Sequence, residues 1–219
     1  MSNFLLLNAG EGYRIKSYGP KCLLNLANGE SVLDRQIRII NSSKKNNIYL
    51  ATGFCANKVD KACSLPSFCN EDHQNYNQAF SVISLLEKFR IKESAYVVFG
   101  DTVFADDSPI GNQKDEVSTV FYSDKTNNNQ IGMTHTNGNL KYMMWGLSPK
   151  WNEICYFDNN MIEFILDNKS RYHRSFLVEV INDAIDSGLT VLAKDWGDPI
   201  IDIDKLSDLE IANTTFGIK

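Results

Sequence analysis

Short apolar runs alternate with amphipathic stretches through the first hundred residues. Phe4 to Leu7 is continuously apolar and ends at a glycine-containing turn, the mark of a buried strand. Residues 31–42 carry Leu33, Ile37 and Ile40 on one helical face, with Ser31 placed to cap the helix and Asp34 in its first turn. Asn47 to Thr52 predicts a second strand, followed by a Gly53 turn and a short helix near 56–64. Ala79, Val82, Ile83, Leu86 and Phe89 mark one side of a helix over 77–89, and Ala95 to Phe99 is another apolar strand running into Gly100-Asp101. This β-α-β-α-β rhythm predicts a parallel sheet covered by helices.

The second half changes character. Val117 to Tyr122 and Gln130 to Thr136 predict strands, and Asn137-Gly138 is a hairpin turn before Leu140 to Met144. Helices near 159–168 and 174–187 precede a strand at 190–194 and a short apolar segment, Ile200 to Ile203. Ser207 is placed to cap a last helix through Ala212, and Asn127-Asn128-Asn129 is expected to be a loop. The expected class is α/β: a three-layer α/β/α domain over 1–219 with a mixed, mostly parallel central sheet.

Composition narrows the function. The chain has 219 residues, 43% hydrophobic and 22% charged, which excludes a disordered or collagen-like protein. Five cysteines (22, 55, 63, 69 and 155) without regular pairing, and no basic leader or long apolar run, lead us to expect reduced thiols, a cytoplasmic location and no membrane partner. A net charge of -5 argues against a nucleic-acid binder. Residues 1–45 nevertheless hold seven Lys/Arg against three acids. A basic segment in an acidic protein suits a small polyanion.

The first strand runs into Asn8-Ala9-Gly10-Glu11-Gly12-Tyr13-Arg14, then Gly19-Pro20-Lys21. Glycines let backbone N–H groups approach a phosphate chain, and Arg14 and Lys21 add charge. A Walker A loop is not present, and Ile15 stands where a dinucleotide loop needs its third glycine. The longer pattern is more specific. Leu7-x-Ala9-Gly10-x-Gly12-x-Arg14, then Pro20-Lys21-x-Leu23-Leu24 and a Gly29 turn, resembles the nucleotidyltransferases that activate phosphorylated small molecules. These are the sugar-1-phosphate nucleotidyltransferases and relatives such as the phosphocholine cytidylyltransferases. The resemblance continues through Ile48 to Gly53, Asn77 to Leu86, Gly100-Asp101-x-Val103-Phe104, and Asp202-Ile203-Asp204 followed by Asp208-Leu209-Glu210. Residues 105–195 match poorly.

That resemblance implies a transfer from a nucleoside triphosphate, CTP first, to a phosphorylated small-molecule acceptor. Residues 1–115 would form the nucleotide-binding half and 116–219 the acceptor half. Asp101 and Asp204, each close behind an expected strand, are the pair that would hold Mg²⁺ together with substrate phosphates. Arg14, Lys21 and the amides from Ala9 to Gly12, with Glu11 among them, would hold the triphosphate. Asn77 and Ser81, four apart on one helical face, lie where the family holds base or ribose; a helix cap or solvated face is the plainer alternative. Asn8 replaces the family's usual alanine, and would pair either with the nucleotide or with local backbone. Asp202 is a candidate for supporting the metal pair, and Asp208 for the start of the last helix.

Other features carry less. Cys63, Cys69 and His73 fit no standard zinc spacing. Asp106-Asp107 resembles the acidic pair of metal-dependent glycosyltransferases, and equally an ordinary loop. Trp145, Trp151 and Lys141 are the acceptor-side candidates: aromatic faces can enclose a quaternary ammonium, and a lysine can hold a phosphate. Core packing is the alternative for the tryptophans.

Overall fold

The computed structural model describes residues 1–111, 114–123 and 131–219. Its strands are β1 (Asn3–Asn8), β2 (Asn47–Thr52), β3 (Ser67–Cys69), β4 (Ala95–Phe99), β5 (Thr102–Val103), β6 (Thr119–Tyr122), β7 (Ile131–Thr136), β8 (Asn139–Trp145), β9 (Trp151–Phe157), β10 (Leu192–Asp195) and β11 (Ile201–Asp202). Its helices are α1 (Val32–Ile40), α2 (Ala56–Ala62), α3 (Gln78–Lys88), α4 (Asn159–Asp167), α5 (Leu177–Asp186) and α6 (Leu206–Thr215). The expected loop at Asn127-Asn128-Asn129 and the expected strand start at Gln130 lie outside the described residues.

Among the described residues one mixed sheet runs in the order β3-β2-β1-β4-β9-β6-β10-β8-β7. β2, β1 and β4 are parallel, as the first-half rhythm predicts, and β3, a short strand not expected from the sequence, adds to β2 in the same direction. The period-two alternation of β1 sends Phe4 and Leu6 to one face, where they pack with Leu33, Ile39 and Ile40 of α1. Leu5 and Leu7 face the other side, against a layer that includes Val82 and Leu86 of α3, Ile165 of α4 and Ile181 of α5. A strand covered on both faces reads as an unbroken apolar run, and Phe4 to Leu7 does so for that reason. The result is the three-layer α/β/α arrangement. No helix among the described residues is long and apolar enough to cross a membrane.

Besides the short strands β3 and β5, the differences from expectation sit in the second half. β9 lies between β4 and β6, antiparallel to both, in the middle of the sheet, although no strand is expected there from the sequence. The polar pair Asn152-Glu153 interrupts its apolar pattern. Glu153 has a left-handed backbone (φ +63°) where the register with β6 shifts. α5 begins at Leu177 rather than near 174, because Glu179 Oε2 accepts the Phe176 N–H at 2.6 Å and fixes the first turn. Helix α6 starts at Leu206, which places Ser207 inside it. Asp208 supplies the cap instead: its Oδ2 accepts the backbone N–H groups of Asp204 and Lys205, each at 2.8 Å.

A two-stranded ladder stands apart from the main sheet. β11 pairs antiparallel with β5, Ile201 opposite Val103 and Asp202 opposite Thr102. The Ile203 N–H then donates to the Asp101 carbonyl at 3.0 Å. Segments a hundred residues apart in sequence are thereby laid side by side.

Candidate functional site

β1 and β4 pair from Asn3 opposite Ala95 to Leu7 opposite Phe99, so their carboxyl ends open together. Ligand crevices form at such places in α/β sheets. A cavity of about 220 Å³ lies there. Asn8, Ala9, Gly10 and Gly12 border it after β1, Lys21 and Cys22 after the loop, and Gly100 and Asp101 after β4. His73, Tyr76, Asn77, Gln78 and Ser81 close the side formed by α3 and the segment before it.

Two glycines are required by this geometry. Gly12 has φ +58°, and a Cβ on it would stand 2.9 Å from Lys21 Cγ. A Cβ on Gly100 would stand 1.8 Å from Asn8 Oδ1. The buried carboxylate of Glu11 accepts from Lys16 Nζ and Gln74 Nε2, both at 2.6 Å, with His73 Nε2 at 3.3 Å. The Lys16 and Gln74 hydrogen bonds hold its carboxyl below the usual range and tie the glycine loop to the segment preceding α3.

The acidic side is built by the β5–β11 ladder. Donor oxygens of Asp101, Glu153 and Asp202 lie within 4.8 Å of one another. Lys21 Nζ donates to Asp101 Oδ2 and Asp204 Oδ1, each at 2.8 Å, and Arg14 pairs with the other Asp204 oxygen. Burial opposes the Lys21 charge, but Asp101 and Asp202 overcome it and hold the ammonium firmly protonated. Burial, then the neighbouring charge of Asp101, pushes Asp202 up to about 8. Burial and the charges of Asp202 and Asp101 likewise raise Glu153. For Asp204, burial is outweighed by Lys21 and Arg14, and its carboxyl is held below the usual range. Four carboxylates thus crowd around one partly buried ammonium. An all-oxygen donor set with excess negative charge suits a hard divalent cation, and Lys21 already places a positive charge between Asp101 and Asp204.

Arg14, Lys21, Asp101 and Asp204 therefore meet at one place, next to the cavity bordered by Asn8, Ala9, Gly10, Gly12, Asn77 and Ser81. Asn77 Nδ2 also donates to the Arg174 carbonyl at 2.6 Å. The acceptor-side candidates lie elsewhere. Trp151 is buried in the core, its indole N–H donated to the Ile154 carbonyl and its ring edge-on to Phe99. Trp145 and Lys141 are exposed on β8, beside the sheet's edge strand, and do not border the cavity. Asp106 pairs with Arg35 and Arg38, which accounts for it structurally.

Two site residues escape sequence reasoning. Glu153 has no signal, because its strand was not expected. Gln36 does have one: it is a polar residue on the face of α1 shared by Leu33 and Ile40. Fully buried, its Nε2 donates to the Phe99 carbonyl at 2.9 Å and the Thr102 carbonyl at 2.8 Å, and so holds the turn that presents Asp101.

No family model matches the sequence, and no curated protein does. Solved structures do. The CTP:phosphocholine cytidylyltransferase from Streptococcus pneumoniae superposes with a TM-score of 0.75 at 18% identity, over 98% of this chain and 99% of that one. The inositol-1-phosphate CTP transferase from T. maritima gives 0.74 at 15% identity, over 98% and 96%. A Bacillus anthracis protein described as a glucose-1-phosphate thymidylyltransferase, in complex with a sucrose, gives 0.76 at 16% identity, over 98% and 94%. From β1 to α6, this chain has the three-layer fold of the sugar-phosphate nucleotidyltransferases.

Proposed function

We propose that the chain is an Mg²⁺-dependent nucleotidyltransferase that joins a nucleoside triphosphate, CTP first, to a phosphorylated small molecule and releases pyrophosphate. Its product would be a nucleoside-diphosphate-activated compound of the kind used to decorate surface glycans. The observation that carries this reading is one juxtaposition. A glycine loop with Arg14 and Lys21 meets the carboxylates of Asp101, Glu153, Asp202 and Asp204 where the cavity and an adjoining cleft share Gly12 and Lys21. CTP is favoured by the resemblance of Pro20 to Ile37 to the phosphocholine-type enzymes and by the CTP named for two of the three structural neighbours. A cytoplasmic setting agrees with five free cysteines.

An acceptor phosphate oxygen attacks the α-phosphorus in this reaction, and the bond to the bridging oxygen of the β-phosphate breaks. The acceptor phosphate has a second pKa of about 6, so it arrives ionised and no general base is needed. Catalysis then rests on in-line positioning and charge stabilisation. Lys21, Arg14 and the amides from Ala9 to Gly12 hold the β- and γ-phosphates. Asn77 and Ser81 border the nucleoside, and residues 116–219 supply the acceptor half. Asp101 and Asp204, with Asp202 and Glu153 beside them, are the residues that would hold Mg²⁺. When bound, the ion neutralises charge on the α-phosphate and the acceptor oxygen.

The Bacillus anthracis neighbour favours a second reading, a sugar-1-phosphate nucleotidyltransferase using UTP, dTTP or GTP. A non-catalytic nucleotide-binding protein is the reading of another class; Gly10, Gly12, Arg14, Lys21, Asp101 and Asp204 all being in place weighs against it. Pyrophosphate release, measured with CTP, UTP, dTTP, GTP and ATP against a panel of phosphorylated alcohols and sugars, separates the three. CTP-selective release with a phosphorylated alcohol is expected. Release with none of the pairs, from a protein that still binds a triphosphate, would leave only the binding protein.

A further inference from the structure

Asn8 ends β1 and is 5% exposed, yet neither its Oδ1 nor its Nδ2 has a hydrogen-bond partner among the described residues. Buried amides are almost always paired, because desolvation without a replacement bond is unfavourable. Room for this one exists only because residue 100 is glycine. The residues bordering the same cavity carry three further buried atoms without a hydrogen bond, Gln78 Oε1 and both ring nitrogens of His73, and beside them lies the ring of Tyr76.

Charge divides the neighbourhood. Arg14 lines an adjoining cleft with Tyr13 and Asp204, and Gly12 and Lys21 belong to both cleft and cavity. The cleft carries the cationic groups suited to phosphates. Asn8 and Gln78 offer neutral hydrogen-bonding groups instead. A side-chain amide presents a donor and an acceptor together, which matches the edge of a nucleobase. Phosphate oxygens, which only accept, would leave Oδ1 unpaired.

We infer that Asn8 reads the nucleobase, pairing its amide with the base edge and so helping to set which triphosphate is accepted. The inference rests on the nucleotidyltransferase reading and adds the residue that selects the base. Its signature is an opposition: the amide that is unpaired in the free protein becomes paired in the complex. Removing it costs affinity for the nucleoside without costing the free protein stability.

Isothermal titration of wild type and Asn8→Ala with each nucleoside triphosphate and with inorganic tripolyphosphate tests this. The preferred triphosphate should bind the variant roughly tenfold more weakly, as expected for lost buried hydrogen bonds. Tripolyphosphate should bind both proteins alike, and the melting temperature of the free variant should not fall. Equal triphosphate affinity, or an equal loss for tripolyphosphate, overturns the inference and leaves the nucleotidyltransferase reading standing. A wild-type protein that binds none of the triphosphates overturns both. Should the variant fail to fold, the Asn8 side-chain amide protons of the wild type give the answer by NMR. Their resonances should move with the triphosphate and not with tripolyphosphate; resonances unmoved by either would sink the assignment.

Discussion

Lys21 reaches the carboxylate of Asp101 across eighty residues of sequence, Nζ to Oδ2 at 2.8 Å. In the free protein its ammonium takes the position a metal ion would contest, and with a triphosphate bound it would serve the phosphates. Lys21→Met is therefore expected to lower pyrophosphate release at least 100-fold, roughly the scale of losing one transition-state donor. The same variant should bind Mn²⁺ more tightly in the absence of nucleotide, as read by electron paramagnetic resonance. Unchanged Mn²⁺ affinity would show that ammonium and metal do not compete.

Asp101→Asn should abolish turnover while circular dichroism stays that of the wild type, because the side chain is partly exposed and the amide keeps its shape. Near-normal activity would remove Asp101 from the metal role. Mn²⁺ titration of Asp202→Asn and Asp204→Asn alongside it assigns the remaining ligands, with weakened binding expected for Asp204→Asn.

Gln36 touches no substrate in this scheme and acts through the Phe99–Thr102 turn. Replacing it with leucine takes a donor from the buried Thr102 carbonyl and leaves the Phe99 carbonyl only Thr102 Oγ1, at 2.8 Å, and a loss of about 1–3 kcal/mol is expected in urea unfolding. With Asp101 less firmly presented, kcat should fall while KM for the triphosphate holds. A fall in stability with unchanged kcat would restrict Gln36 to a packing role.

Glu30 accepts from Arg38 Nε and Nη2 at 2.7 and 3.0 Å, and Asp106 from Arg38 Nη2 at 2.7 Å, with the buried Arg35 guanidinium alongside. The Arg38 hydrogen bonds lower Glu30 directly; for Asp106 they and Arg35 outweigh its partial burial. Both carboxyls titrate lower in the folded chain than in the unfolded one. Their contribution is therefore complete above the unfolded value of about 4 and disappears as pH falls through the lowered folded values. Arg38→Met should cost below about 1 kcal/mol at pH 7, since the pair is half-exposed, and progressively less as pH falls below about 4. Thermal unfolding from pH 2 to 7 checks this; a difference that does not shrink toward acid pH would mean lost packing rather than lost charge.

The first half of the fold is legible because local pattern and tertiary role coincide there. The run Phe4 to Leu7 is apolar because both its faces are covered, and Ser31 caps α1 with its hydroxyl accepting the Asp34 N–H. The glycine loop and Asp101 are legible for a similar reason, being short segments whose chemistry and spacing sit together. β9 is not legible. A central strand that must also deliver a carboxylate to the site carries Asn152 and Glu153 where an apolar pattern would have marked it. Asp208 is foreseen at the start of α6, but its second effect is not: by accepting the Asp204 N–H it fixes the backbone that presents Asp204. Trp151 shows how a large aromatic in sequence does not distinguish a ligand surface from a core one.

The β5–β11 ladder has a consequence for how the molecule matures. The glycine loop, Asp101, Glu153 and the Asp202–Asp204 segment come from four separate stretches of chain, and the ladder joins two of them by pairing Val103 with Ile201. Contacts this remote in sequence form late, since the chain loses the most freedom in closing them. During refolding, the ability to hold a triphosphate should lag behind the return of helical signal. A half-folded chain would then possess the glycine loop without its acidic counterpart, unable to hold nucleotide and metal together until assembly is complete.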